Sequence, residues 1–365
     1  MACTQVIQCD KCAFNVDVSP NGRLLVVEQH GDGVQLLDAH TGKRCATLDI
    51  GPPYCVGFSP AAQPMLLAVG HGNNVVRVWD CSNGACVAEL WGHLDSVRRV
   101  DFSPDGRLLA SASKDKTVRL WRTDDWLAPP TVLSGHTIAV FGVSFSCDGR
   151  LLASWSYHGA VILWSILDRD VAAADADADA AAITTGSVLE VGQWLDCVAF
   201  SPVDSRLLAY CGLEGFLVVA RVGDGDGVIT VDCELKGHIG HVRNLAFSPC
   251  GRTLASASYD KTVRLWSVAS GACLRVLRGH TDYVESVTFF PSGKQLASCS
   301  TDKSVRIWTL CAWSDHTHLL FGAQLRHLVF QLMCVRARLM AGDKPELPME
   351  LWLMVFEWLA LSTKL

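Results

Sequence analysis

The chain of 365 residues has little excess of either charge: 31 Lys and Arg stand against 37 Asp and Glu, a formal net charge of −6. No basic stripe or polybasic arm breaks that balance. This argues against a general nucleic-acid binder, which needs clustered cations to hold phosphates. Long apolar runs are missing too, since charges interrupt the hydrophobic stretches well before the roughly 18 residues that a membrane helix needs. The opening MACTQVIQCDKC has no basic segment followed by an apolar one, so no secretory signal is expected there. Without an export signal, the 16 cysteines read as reduced thiols of an intracellular protein, in cytoplasm or nucleus. Several of them, such as Cys55, Cys197 and Cys299, sit in apolar runs where a thiol acts as a small hydrophobe.

Motifs that carry chemistry are equally scarce. Cys9 and Cys12 form a C-x-x-C, but no second Cys or His pair with zinc spacing accompanies it. GDGDG from Gly223 to Gly227 lacks the ligand series and closing Glu of a calcium loop and reads as a turn. There is no phosphate loop, no paired-carboxylate constellation and no G-x-S-x-G. No metal, no cofactor and no enzymatic activity are expected.

What the chain has in abundance is repetition. SASKDKTVRLW ends at Trp121 and SASYDKTVRLW at Trp266, agreeing at ten of eleven positions, and SCSTDKSVRIW ends at Trp308. Ser-Pro turns at Ser19, Ser59, Ser103, Ser201 and Ser248, with weaker counterparts at Ser146 and Phe290, mark seven units of about 43 residues. The step from Ser146 to Ser201 is stretched to 55 residues by VAAADADADAAAITTG, residues 171–186. That Ala/Asp insertion has too little apolar surface to order itself, and a disordered loop is expected. Within a unit, strand-like runs alternate with turns: a strand through Phe102, a Pro-Asp-Gly turn, LLASAS, a tight turn at Lys114 to Lys116, TVRLW, and a further strand after the Trp. Seven sets of four short strands bury their faces by packing radially.

With Gly-His, Ser-Pro-Asp-Gly, Leu-Ala-Ser, Asp and a closing Trp at fixed spacing, these units resemble the WD40 repeat over about residues 12–310. The resemblance implies an all-β fold, a seven-bladed WD40 β-propeller, assigned to residues 1–310. The Asp that usually follows the Trp stands only at Asp80, with Ser165, Ser267, Arg122 and Thr309 elsewhere. His93, Asp115 and Trp121 share their spacing with His238, Asp260 and Trp266, and with His280, Asp302 and Trp308. In the family such sets form hydrogen-bond chains with a strand serine, which implies Ser113, Ser258 and Ser300 here. A Ser-His-Asp set invites a catalytic reading, a hydrolase working in the propeller channel. Its threefold recurrence, its Trp and the missing oxyanion signature make it structural instead. Other units have lost the set: Gly31, Asn73, His158 and Glu214 hold the Asp position, and Leu37 and Ala220 replace the Trp. The last blade's outer strand is expected from CTQVIQC (Cys3 to Cys9) or from HTHLLFG after Trp308.

The resemblance also implies a partner face bearing the Gly-His loops, where family members bind peptides or protein surfaces. Two positions per unit point to it, three residues after the His and just before the turn Asp. They give Ser96, Ala139, Trp194, His241 and Tyr283 for the first, and Lys114, Tyr157, Leu213, Tyr259 and Thr301 for the second. Lys114 and an aromatic run across four blades, Tyr157, Trp194, His241, Tyr259 and Tyr283, are the candidate partner-binding residues. Arg98, Arg243 and Glu285 lie beside them in sequence.

After Trp308 the repeat ends. Leu325, Leu328, Val329, Leu332 and Met333 follow helical spacing, and a second helix starts at Pro348 with Leu351, Val355, Phe356 and Leu359 on one face. This two-helix segment, residues 318–365, resembles a SOCS box, or the opening of an F-box. The resemblance implies docking through Leu325, Leu328, Leu347, Pro348 and Phe356 onto an elongin or Skp-type adaptor. The sequence therefore reads as a non-enzymatic interaction scaffold: either a substrate receptor of a cullin-type ubiquitin ligase, or an assembly scaffold of signalling, RNA-processing or transport complexes with a structural tail. Neither nucleic acid nor membrane is expected as a partner.

Overall fold

Alternating apolar residues commit each short run to a strand, and a lone strand of six residues can satisfy its backbone only by pairing. In the computed structural model, which describes residues 2–30, 33–48, 53–60, 64–166, 183–223 and 228–310, the strands form seven four-stranded antiparallel sheets. Blade 1 consists of Ala13–Val18, Leu24–Gln29, Gly33–Asp38 and Arg44–Leu48, from inside to outside. The inner strands of successive blades neighbour one another in a closed cycle, and those of blades 7 and 1 complete it. The chain divides into two units, Met1–Leu310 and Cys311–Leu365, and only the first is described. The tail residues Leu325, Leu328, Leu347, Pro348 and Phe356 lie outside the described residues.

Blade 7 takes its outermost strand from the other end of the propeller. Ala2–Gln8 pairs antiparallel with Ser304–Thr309, with Val6 opposite Arg306. Of the two segments expected to close the ring, the N-terminal one does so; HTHLLFG lies outside the described residues. The expected insertion needs a correction at its end. Ile183–Glu190 is the outer strand of blade 4, with Ile183 opposite Ile166 and Thr185 opposite Trp164. The β-branched Ile-Thr-Thr run suits a pleated strand, so residues 183–186 belong to the blade. Residues 171–182 lie outside the described residues.

The repeated His, Asp and Trp side chains do form chains, but through different serines. His93 Nδ1–H donates to Asp115 (2.8 Å), Ser111 Oγ–H donates to His93 Nε2 (2.8 Å), and the Trp121 indole N–H donates to Ser111 Oγ (2.8 Å). Ser256 serves His238 and Trp266 in the same way, and Ser298 serves His280 and Trp308. The expected Ser113, Ser258 and Ser300 instead cap the tight turns: Ser113 donates to Asp95 O and accepts the Asp115 N–H. Residues two apart share a strand face, so alternation alone could not separate Ser111 from Ser113. The depth of the His and Trp decides. Burial would raise the Asp115 carboxyl, but hydrogen bonds from His93, Thr117 and the Leu94 N–H outweigh it and hold the group well below its ordinary value.

Blade 4 keeps part of this chain. Ser154 links His136 and Trp164, while the Asp is replaced by the exposed His158. With no carboxylate to favour the imidazolium, burial pushes His136 down to about 4. Where the turn Asp is lost, the residue matching Ser113 is left with unpaired buried atoms: Gln29 in blade 1, His71 in blade 2 and Ser156 in blade 4. In blade 2 the Trp79 indole N–H is buried without an acceptor, because Val69 stands where Ser111 stands in blade 3.

That match defines a paired test. Val69→Thr places a hydroxyl near the orphan Trp79 N–H, whereas Val27→Thr, at the same register of blade 1, finds no indole because Leu37 holds the Trp position there. Both valines are fully buried. The Val69 variant should be the more stable by about 1–3 kcal/mol in chemical denaturation; equal losses would mean the blades do not share this geometry. Asp260→Ala, which strips His238 of its acceptor, should likewise cost about 1–3 kcal/mol, and more than Glu214→Ala at the matching position of blade 5. Deleting residues 1–8 exposes the edge of Ser304–Thr309 and should lower the melting temperature and promote aggregation, read by light scattering. An unshifted melt would rule out the N-terminal closure.

Candidate partner-binding face

Each of the seven inner strands slips register after its first residue. In Val97–Phe102, Val97 pairs with Ser113 and Arg99 with Ala112, so Arg98 is the extra residue of a β-bulge. The same slip leaves Phe14, Tyr54, Phe141, Asp196, Arg243 and Glu285 unpaired in the other blades. A bulge re-aims one side chain out of the ladder. All seven re-aimed side chains line one cavity of about 420 Å³ among the inner strands. Five of them stand two residues beyond the sequence positions read as partner-facing, as Asp196 follows Trp194 and Glu285 follows Tyr283; no such position was assigned in the units of Phe14 and Tyr54. The spacing places Arg98, Arg243 and Glu285 only beside the partner-facing positions and carries no signal for Tyr54, Phe141, Asp196 or Glu28, because the bulge that aims side chains inward is not written in it.

Of the expected partner residues, Tyr157 alone lines this cavity. It packs on Phe141 (centroids 3.4 Å apart) and on Trp194 (5.2 Å), and His158 meets the other side of Trp194 at 5.6 Å. A second stack runs from His241 to Tyr259 (5.0 Å) to Tyr283 (4.4 Å, near-parallel). The expected single aromatic run is thus two stacks. Asp196, its side chain almost fully buried and two residues after Trp194, accepts from His241 Nε2 of the second stack and from the Arg243 guanidinium. Trp194 and Tyr283 are each 45% exposed, and Tyr54 is 47% exposed. Gly212 permits this crowding: a Cβ there would sit 1.7 Å from the Trp194 carbonyl oxygen. Lys114 does not join the group. It is half-buried in blade 3, where its backbone N–H donates to Ser96 O, and it does not line the cavity.

The charges around the mouth are unevenly paired. Arg243 also donates from Nε to Glu285 (3.3 Å), which accepts the Tyr259 hydroxyl (3.4 Å). Burial and the neighbouring Glu285 raise the Tyr259 phenol to about 12. Glu28, on the strand Leu24–Gln29, lies in the same cavity. Burial raises its carboxyl to about 8 against the opposing pull of Arg243 and Arg98. Arg98 stacks 4.3 Å from the Tyr54 ring and 5.2 Å from the Phe141 ring. Among the described residues no ordered cluster of His, Cys, Asp or Glu could hold a metal ion.

A carboxyl raised in the folded state stabilises the fold below its unfolded value, near 4.5, and loses that contribution as pH rises through about 8. Glu28→Gln, which stays neutral, should therefore gain on the native protein as pH rises. Its melting temperature at pH 8.5 should exceed wild type by at least about 2 °C more than at pH 5. A pH-independent difference would show that Glu28 is ionised throughout.

Comparison with known proteins agrees with this architecture. The family model for the WD domain, G-beta repeat, matches residues 84–122, 128–165, 229–267 and 271–309. Each match starts at or just before the outer strand of one blade and ends on the third strand of the next. The chain is 30% identical over 220 residues to apoptotic protease-activating factor 1 of Danio rerio, covering 57% of this chain and 15% of that protein. It is 42% identical over 69 residues to WD repeat and SOCS box-containing protein 1 of Danio rerio, 19% of this chain and 16% of that protein. Nuclear distribution protein PAC1 of Coccidioides posadasii is 28% identical over 236 residues, 60% of this chain and 38% of that protein. The chain therefore spans well under half the length of each of these relatives. Four matched repeats, and seven sheets closed into a ring by a strand from the start of the chain, make this protein a seven-bladed β-propeller of WD40 repeats.

Proposed function

We propose that this protein is a non-enzymatic scaffold that holds a protein partner against the mouth of the propeller. The observation that carries the reading is the mouth itself, where exposed Trp194, Tyr283 and Tyr54 surround a cavity lined by seven bulge residues. Rigid aromatic rings beside a pocket are what an interaction hot spot requires, since they bury large area at small entropic cost. The Ser-His-Asp sets do not compete with it: each serine is committed to a Trp indole and none faces this cavity.

A finer reading makes the chain a substrate receptor, with residues 318–365 docking onto an elongin or Skp-type ligase subunit. The partial likeness to a WD repeat and SOCS box-containing protein supports it. The alternative is an assembly scaffold whose tail is structural. Affinity capture from cell extract separates the two, using the full chain, a chain ending at Thr309, and full-length Trp194→Ala/Tyr283→Ala. Partners lost with the double variant belong to the mouth. Ligase adaptors recovered with the full chain and absent with the truncated one support the receptor; recovery of neither, with a truncated chain that no longer folds, leaves the scaffold alone.

A further inference from the structure

We infer that the propeller mouth receives an anionic side chain, a carboxylate or a phosphate, from an extended segment of the protein partner, and that Arg98 is its cationic counterpart. The inference rests on the proposed binding role of this face and specifies its chemistry.

Three features of the cavity converge on an anion. Arg98 is clamped between Tyr54 and Phe141 and has no hydrogen bond or ion pair to any of the described residues. Its neighbour across the mouth, Arg243, is engaged by Asp196 and Glu285. Rings packed against a guanidinium fix its plane and leave its N–H edge free, the geometry that grips carboxylate and phosphate oxygens. Gln29 is the second feature. It is 1% exposed, lines the same cavity, and neither amide atom has a partner. His71 and Ser156 carry unpaired atoms at the matching position of other blades, but Gln29 alone of the three faces the cavity. A buried amide without partners is costly, and a guest oxygen on its N–H would remove that cost.

Glu28 is the third feature. It is buried beside Gln29 with no hydrogen-bond partner among the described residues, and its carboxyl stays protonated near neutral pH. It therefore offers a donor O–H where a second negative charge would have repelled an anion. Arg98, Gln29 and Glu28 can each turn an N–H or O–H donor toward a guest oxygen. A lysine or arginine guest would meet Arg98 and Arg99, would find Asp196 and Glu285 already taken by Arg243, and could pair with Glu28 only by first driving off its proton.

Selection from a random decapeptide library displayed on phage, with the full chain as bait, tests the inference. Binders should be enriched in Asp and Glu. In synthetic copies, replacing one particular acid by its amide should weaken binding at least about tenfold, while phosphoserine at that position should retain it. On Arg98→Gln the same replacement should change binding less than about twofold. Arg98 is half-buried and makes no ion pair among the described residues, so this variant, which keeps a long polar side chain, should melt close to wild type. Gln29→Met provides a second readout: removing the orphan amide should raise the melting temperature and still weaken the acidic peptide. Enrichment of Lys and Arg, or acidic binders indifferent to Arg98, would overturn the anion site and leave the binding face standing. Failure to recover any peptide sensitive to Trp194→Ala/Tyr283→Ala would remove the face and the anion site together.

Discussion

The pairing of Ala2–Gln8 with Ser304–Thr309 holds the two ends of the propeller together, and the ring depends on it. A four-stranded sheet of six-residue strands cannot stand alone in water, because it has two apolar faces and only its neighbours can cover them. The matched repeats are staggered against the blades, each contributing its first strand to the blade before. Stagger links successive blades covalently and hydrogen-bonds them at once. It also leaves the last blade one strand short, and only a segment from elsewhere can fill it. Closed in this way, the inner strands form one cycle with a short, protected edge on each blade.

Within that ring, the His-Ser-Trp chains are unevenly spread. Blades 3, 6 and 7 carry the complete set with its Asp, and blade 4 keeps the His, Ser and Trp. The three inner strands of blades 1, 2 and 5 fall outside the family-model matches. These blades retain the same strands and register, so radial packing, not the polar chain, dictates the architecture. The chain adds rigidity where it is complete, since a buried Trp N–H and a buried carboxylate each find their partners. Where it is broken, the polar atoms of Gln29, His71 and Trp79 are left over.

Seven bulges convert this scaffold into a site. Regular pairing would place successive side chains alternately into the two faces of a blade, where packing consumes them. One extra residue at the start of each inner strand turns a single side chain toward the central mouth instead. Three of the seven re-aimed residues are aromatic, two are cations and two are acids, and their mutual pairing leaves Arg98 without an acid of its own.

The sequence by itself determined the number of blades, the strand order within them and the His, Asp and Trp of the polar chains, but not their serines. Those follow from local spacing, which repeats wherever the chemistry repeats: the Trp in TVRLW, the Asp of the tight turn, the His after Gly. It also pointed to Tyr157, Trp194, Tyr259 and Tyr283 as members of one face. What it could not decide was anything that turns on depth or on contact between blades. Ser111 and Ser113 share a strand face, and only the position of His93 selects between them. The bulge that aims Arg98 and Asp196 into the mouth leaves no mark in a pattern of period two, because the extra residue follows the first strand residue directly. The two aromatic stacks come from residues in separate blades. Their meeting is set by the curvature of the closed ring, which no single repeat contains.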